Sequence, residues 1–301
     1  MFEYDTCGED AGLRPDRALR LRLPDLDRDA ALALLKRGRI LVNGARATLQ
    51  TLHSAADQVA VEPAPTQTNL RPGHGVTLLF VDTFLCVVGK PSGMAVHPAT
   101  GVAGLTLVDV VREFLDGRQQ AVGSLAPAGR LDRGTSGPVA FALQEKSHQL
   151  LGRAFQDGTI EKNYFALVSG STAARFVVDA PIPVAGGEVK DAFTRFEQRA
   201  QSPRASLLEV FPTTGRKHQI RRHLAHVGHP IVGDSRYGGA PAGRLMLHAR
   251  LLVLPHPTLG SVRVNAPCPR DFVDEATPVS YTHLRAHETK AKLVCRLLLE
   301  K

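Results

Sequence analysis

At 301 residues the chain is long enough to bury one or two cores without disulfide or metal staples, which excludes mini-protein scaffolds. Its 43% hydrophobic and 22% charged residues are those of a globular protein, and no apolar run reaches the roughly 20 residues that a membrane helix needs. Lys and Arg outnumber Asp and Glu by 37 to 29, so the net charge of +8 points to a polyanionic partner, nucleic acid ahead of membrane. The N-terminus M-F-E-Y-D-T-C-G-E-D lacks the apolar core of a secretory signal, so a cytoplasmic protein is expected. Cys7, Cys86, Cys268 and Cys295 are scattered and form no C-x-x-C pair, which fits that compartment.

The first segment reads as a compact module over residues 11–63. Its pattern predicts helices over Arg14–Leu21 and Asp27–Lys36, then strands at Ile40–Val42 and Val59–Val61. Asp27 is the expected N-cap and Gly38 the C-cap of the second helix, and Asn43-Gly44 is a strong hairpin turn signal. Lys36, Arg37 and Arg39 crowd the end of that helix, where they complement its dipole and can face a phosphate backbone. The run K-R-G-R-I-L-V-N-G resembles the alpha-L RNA-binding module found at the N-terminus of many RNA-modifying enzymes.

A Pro- and Thr-rich linker is expected over 64–73, and a second domain over 74–275. Its apolar runs L-L-F-V and L-C-V-V, flanking Asp82-Thr83, predict two strands. Further strands are expected at Val139–Leu143, Asn163–Val168, Phe176–Asp179, Ala192–Phe196, Ser206–Phe211 and Leu251–Leu254. Helical patterns lie at Leu105–Leu115, Lys146–Gln156 and His218–Val227. Clustered strands with few intervening helices imply an α+β domain on a mostly antiparallel, mixed sheet, with the small α/β module in front of it.

Four segments carry chemistry. G-R-L-D-R-G-T-S-G, residues 129–137, is a tight polar loop at the mouth of a strand, able to hold the Asp132 carboxylate at an exposed edge. The alternative is a turn aspartate satisfied by the amides of Thr135 and Ser136. T-T-G-R-K-H-Q-I-R-R-H-L-A-H-V-G-H-P-I-V-G-D-S-R-Y-G-G, from Thr213 to Gly239, enters a basic helix through a glycine turn. There Arg216, Lys217, Arg221 and Arg222 can neutralise phosphates, and an arginine beside Asp132 would keep it ionised. Histidines 218, 223, 226 and 229 invite a metal reading, but no acidic or cysteine ligand at metal spacing accompanies them, so packing or RNA contact is expected. K-N-Y-F-A-L-V-S-G places Tyr164 near a strand start, either in the core or stacked on a base. G-K-P-S-G-M-A-V-H-P, residues 89–98, reads as a rigid loop.

In this order and at these spacings the four segments resemble the RluA-type RNA pseudouridine synthases, over roughly residues 14 to 272. Gly129 stands where that family commonly has His. The resemblance implies an isomerase that turns uridine into pseudouridine in structured RNA, ribosomal RNA ahead of transfer RNA, as a monomer and without a cofactor or metal. It makes Asp132 the essential carboxylate, attacking the sugar, attacking the base or helping to remove a ribose proton. Arg221 is its ion-pair partner, Arg130 fills the place vacated by the flipped base, and Tyr164 stacks on the uracil and can move a proton. Two other classes compete: a non-catalytic RNA-binding protein with a decayed synthase domain, and a histidine-based metallohydrolase. The segment 278–301, within a tail expected over 276–301, does not resemble the family. It is similar to a translated sequencing-library adapter, so His287 and Cys295 are not read as functional, and the domain's closing helix after Phe272 is expected to be replaced there.

Overall fold

The computed structural model describes residues 2–22, 28–36, 38–61, 70, 74–98, 104–117, 125–184 and 186–276. Strand β1 (Phe2–Asp5) precedes helices α1 (Pro15–Arg22) and α2 (Arg28–Lys36), which are followed by β2 (Ile40–Val42), β3 (Ala45–Arg46) and β4 (Gln58–Val61). The strands form one antiparallel sheet in the order β1-β4-β2-β3, and Leu19, Leu35, Ile40 and Val59 make the core between sheet and helices. Gly38, at φ +63°, ends α2, with its own N–H donating to Leu35 O and that of Arg39 to Leu34 O. Asn43 and Gly44 both have positive φ and turn β2 into β3, as the dipeptide predicts. Asp27, the expected N-cap, lies outside the described residues, and so do Arg37 and most of the expected linker.

A second sheet has the order β5-β6-β8-β7, from β5 (Thr77–Val81), β6 (Leu85–Lys90), β7 (Ala126–Pro127) and β8 (Gly137–Ala142). Helix α3 (Leu107–Gly117) packs Leu107, Val111 and Leu115 against Val88, Val139 and Phe141 of that sheet. The helix begins later than the apolar pattern alone suggests because Thr106 and Asp109 form a reciprocal cap: Asp109 accepts from the Thr106 N–H and hydroxyl, while its own N–H donates to Thr106 Oγ1.

After α4 (Glu145–Gln156) come β9 (Glu161–Ser169), β10 (Arg175–Asp179), the short hairpin β11 (Ile182–Pro183) and β12 (Val189–Lys190), β13 (Phe193–Gln201), β14 (Ala205–Pro212), α5 (Gln219–His226), β15 (Leu247–His256), β16 (Gly260–Asn265) and α6 (Arg270–Ala276). The largest sheet is antiparallel in the order β10-β13-β14-β9-β15-β16. Where the sequence predicts Asn163–Val168 and Ala192–Phe196, the strands extend further through polar residues such as Glu161 and Gln198, which pair in the ladder without an apolar signal. Phe272 and Ala276 of α6 are fully buried in the largest core.

The six-stranded sheet and the β5-β6-β8-β7 sheet meet at Gly137. Ala249 N–H donates to Ser136 O at 2.7 Å and Ser136 N–H to Leu247 O at 3.3 Å. A Cβ on Gly137 would lie 2.2 Å from Ala249 O, and its φ of +130° disfavours any side chain. This close approach sets the loop before β8 against strand β15. No described helix is long and apolar enough to cross a membrane.

Candidate active site

The loop 129–136 is held from below by the G-K-P-S-G segment. Lys90 is 2% exposed and its ammonium donates to Pro91 O and Met94 O at 2.9 Å and to Arg133 O at 3.1 Å. Ser92 Oγ donates to Gly134 O, Gly93 N–H to Arg133 O, and Arg133 Nε back to Gly93 O. Burial pulls the Lys90 pKa down to about 7, against the pull of Asp132, so the chain gives up solvation of a charge to tie this loop down. These bonds tie the segment to the backbone beside Asp132.

Asp132 is not a turn aspartate closed on its own loop. The Thr135 N–H donates to the Asp132 carbonyl and the Ser136 N–H to Leu247 O, which leaves the carboxylate facing side chains. Its Oδ2 is 3.4 Å from Arg221 Nη1, and its Oδ1 is 3.7 Å from His218 Nε2. Arg221, on α5, is fixed on its other edge by Asp234, which accepts from Nε at 2.7 Å and from Nη2 at 2.8 Å. Burial alone would lower the Arg221 pKa, but Asp234 and then Asp132 raise it, so the guanidinium stays charged beside the carboxylate. Asp234, 1% exposed, lies within G-D-S-R-Y-G-G, where no local pattern marks it as the arginine's anchor.

An open cleft of about 530 Å³ contains Asp132, Tyr164, His218 and Arg221, with Lys162, Leu131 and Ile220 among the other walls. Tyr164 reaches it from β9. Burial and the nearby Asp132 raise its phenol pKa, so the hydroxyl keeps its proton. Lys162, two residues earlier on the same strand face, has its pKa lowered by burial, and no local pattern marks it as a site residue either. At Gly129 a Cβ would sit 2.7 Å from the end of the Phe155 ring, so a side chain there would require that ring to move.

The basic residues fall in two places. Arg130, Arg216 and Lys217 rim the cleft, and with Arg222, Arg236 and Lys190 they line an adjoining groove walled by the β11–β12 hairpin. Arg130 and Lys217 are exposed, whereas Arg216 donates to Asp191 O and Arg222 to Pro183 O and Tyr237 Oη. Lys36 is exposed and Arg39 half-buried at the end of α2, among the N-terminal elements, and neither lines the cleft. The histidines do not converge: His223 is buried between Thr194 Oγ1 and Ala180 O, and His229 bonds Ser169 O. Only His218 of the four faces Asp132. The expected helix start at His218 is corrected to Gln219, because His218 has left-handed backbone angles, φ 57° and ψ 26°. Among the described residues no three His, Cys, Asp or Glu side chains are grouped as a metal ion would require.

Residues 85–226 match a family model described as RNA pseudouridylate synthase. Over 293 residues the sequence is 32% identical to ribosomal large subunit pseudouridine synthase D of Xanthomonas campestris pv. campestris, covering 87% of each chain. Over 221 residues it is 33% identical to tRNA pseudouridine synthase C of Haemophilus ducreyi, covering 63% of this chain and 89% of that one. The solved structure of human RNA Pseudouridylate Synthase Domain Containing 4 superposes with a TM-score of 0.59 at 24% identity, over 67% of this chain and 93% of that one, a likeness of fold.

Proposed function

Because the chain belongs to the RNA pseudouridylate synthase family, we propose that it isomerises specific uridines of large-subunit ribosomal RNA, with Asp132 as the essential carboxylate. It is an RNA pseudouridine synthase, an isomerase. The reaction breaks the bond from the ribose to uracil N1, turns the base, and joins the ribose to C5; C5 loses a proton and N1 gains one. Atoms and electrons balance within the nucleotide, so the chemistry requires no redox cofactor.

The observation that carries the catalytic assignment is the Asp132–Arg221 pair lining a cleft with a basic rim, with buried Asp234 behind the arginine. A carboxylate that must react has to be ionised, and a guanidinium locked in place by a second, buried carboxylate does that without moving. A uridine inside folded RNA has to leave its stack to reach Asp132. Arg130, exposed at the mouth, takes the vacated place, and Tyr164 stacks on the flipped uracil. Arg216, Lys217 and Arg222 hold flanking phosphates.

Residues 11–63 act as the RNA-binding module, with Lys36, Arg37 and Arg39 toward the phosphate backbone, residues 64–73 as a linker and 74–275 as the catalytic domain, the protein working as a monomer. Ribosomal RNA is favoured over transfer RNA because the match to the large-subunit enzyme extends over 87% of this chain and that to the tRNA enzyme over 63%. Mapping pseudouridines in large-subunit ribosomal RNA and tRNA, from cells with the active protein and cells with Asp132→Asn, tests the reading. A ribosomal site that disappears with the variant supports it, a tRNA site reassigns the substrate, and an unchanged map favours a non-catalytic RNA-binding protein.

A further inference from the structure

His218 occupies a conformation that its sequence position does not require. A non-glycine residue in the left-handed region costs on the order of 1 kcal/mol or more, and persists where its surroundings over-determine it. Here they do, through the next residue. Gln219 is 4% exposed and all its carboxamide groups are engaged: Oε1 accepts from Thr214 Oγ1 and Arg216 N–H, and Nε2 donates to Phe193 O and Thr194 Oγ1. The turn from Thr214 to Gln219 is therefore clamped, and the clamp sets the imidazole between Asp132 and Tyr237.

The hydrogen bonds around that imidazole have a direction. Arg222 Nε can only donate, and it donates to Tyr237 Oη at 3.1 Å, with its Nη1 anchored on Pro183 O. Tyr237 Oη lies 2.9 Å from His218 Nδ1. With one donor already entering the phenol oxygen, the arrangement favours the phenol proton pointing at Nδ1. The ring proton then sits on Nε2, the nitrogen 3.7 Å from Asp132 Oδ1. Burial lowers the His218 pKa; Asp132 pulls it back up, and Arg221, Arg236 and Lys217 lower it further. At neutral pH the ring thus carries a single N–H, and the phenol decides where it is.

Given that Asp132 is the reactive carboxylate, we propose that His218 is a positioning residue for it, donating from Nε2 to Oδ1 in a tautomer fixed by Tyr237, while Arg221 holds Oδ2. The carboxylate is then gripped on both oxygens and presents one face to the flipped nucleotide. The 3.7 Å gap closes to hydrogen-bond length when RNA fills the cleft, as catalytic contacts commonly tighten on substrate binding.

The test is single-turnover pseudouridine formation with enzyme in excess, on transcripts of large-subunit ribosomal RNA and of tRNA, with RNA affinity measured in parallel by filter binding. His218→Asn tolerates the left-handed backbone but has no atom at the Nε2 position, whereas His218→Gln can place an amide N–H there. The expected result is a rate constant about 10- to 100-fold lower for His218→Asn, the range for losing a hydrogen bond to a charged group, with RNA affinity within about twofold of wild type. His218→Gln should recover most of that loss. Tyr237→Phe leaves the turn intact and should slow the reaction several-fold by freeing the tautomer. Equal losses in the Asn and Gln variants, a loss in affinity instead of rate, or a wild-type rate in Tyr237→Phe would each overturn the proposal. A wild-type protein that forms no pseudouridine in any of these transcripts would overturn the functional reading itself.

Discussion

Acid should destabilise the junction behind the active site through one residue, His248. It is 1% exposed, and its two ring nitrogens are committed: Nδ1 accepts from Ser136 Oγ at 2.9 Å, and Nε2 donates to Ala266 O at 3.2 Å. Ser136 Oγ in turn accepts from Arg244 Nη2 at 2.6 Å, so a proton added to Nδ1 would face a hydroxyl whose own proton has no better place to go. Burial, opposed by Ala266 O and helped by Arg244, pushes the His248 pKa down to about 4 from an unfolded value of 6.5. Between those two values the unfolded chain binds a proton that the native state refuses, so stability falls as the pH drops from 6.5 toward 4 and this contribution is complete below that. At about 1.4 kcal/mol per pH unit the loss from His248 alone reaches about 3 kcal/mol, and about 2–3 kcal/mol by pH 4.5. Urea denaturation of wild type and His248→Gln at pH 7 and pH 4.5 isolates it from the carboxylates, which titrate in both. The variant starts less stable at pH 7 but should lose about 2–3 kcal/mol less on acidification. Equal losses in the two proteins would refute the argument that buried neutral His248 holds the junction.

Three further outcomes follow from the site and the charge. Tyr164→Phe keeps the ring and the stack, so near-wild-type activity in a single-turnover assay would show that the hydroxyl carries no proton in the slow step; a drop of about 10²-fold or more, in the range of general acid–base catalysis, would show that it does. Lys90→Met removes the ammonium from three carbonyls and frees the loop beside Asp132, so the rate of isomerisation should fall at least tenfold with RNA affinity maintained. Full activity would mean that the loop keeps its geometry unaided. Lys36→Gln should weaken RNA binding and reduce the slope of log affinity against log salt by about 0.7–0.9; an unchanged slope would take the N-terminal elements out of the RNA interface.

Much of the fold is legible in local patterns where a residue type has one dominant use. Asn43-Gly44 makes a two-residue hairpin and Gly38 ends a helix because few residues accept those backbone angles. The apolar runs around Leu85–Val88 and Val139–Leu143 are strands because both their faces are buried. What escapes notice is structure made by backbone pairing of polar or very short segments, such as β1, the β11–β12 hairpin and the polar half of β13. Strand β16 did leave a signal, since Val262 and Val264 alternate inward along S-V-R-V-N. In the site, Asp132 and Arg221 are 89 residues apart, and no local rule joins them; the resemblance did, through motif order. Asp234 and His218 lie within the conspicuous motifs, yet a Gly-Asp before a turn reads as a turn aspartate, and a histidine before a helix reads as its first residue. Their roles depend on tertiary partners: a guanidinium shared between two carboxylates and a clamp made by Gln219.

The most direct test of the central claim is pseudouridine formation by Asp132→Asn under single-turnover conditions, with RNA affinity measured on the same preparation. The substitution keeps the shape of the side chain and its proximity to Arg221 but removes the charge. Because RNA affinity comes mainly from phosphate contacts elsewhere, it should stay within a few-fold of wild type, while loss of an essential group lowers the rate by several powers of ten. No product above background, with affinity retained, is the predicted result. A residual rate above about one per cent of wild type would contradict the assignment of Asp132 as the reacting carboxylate.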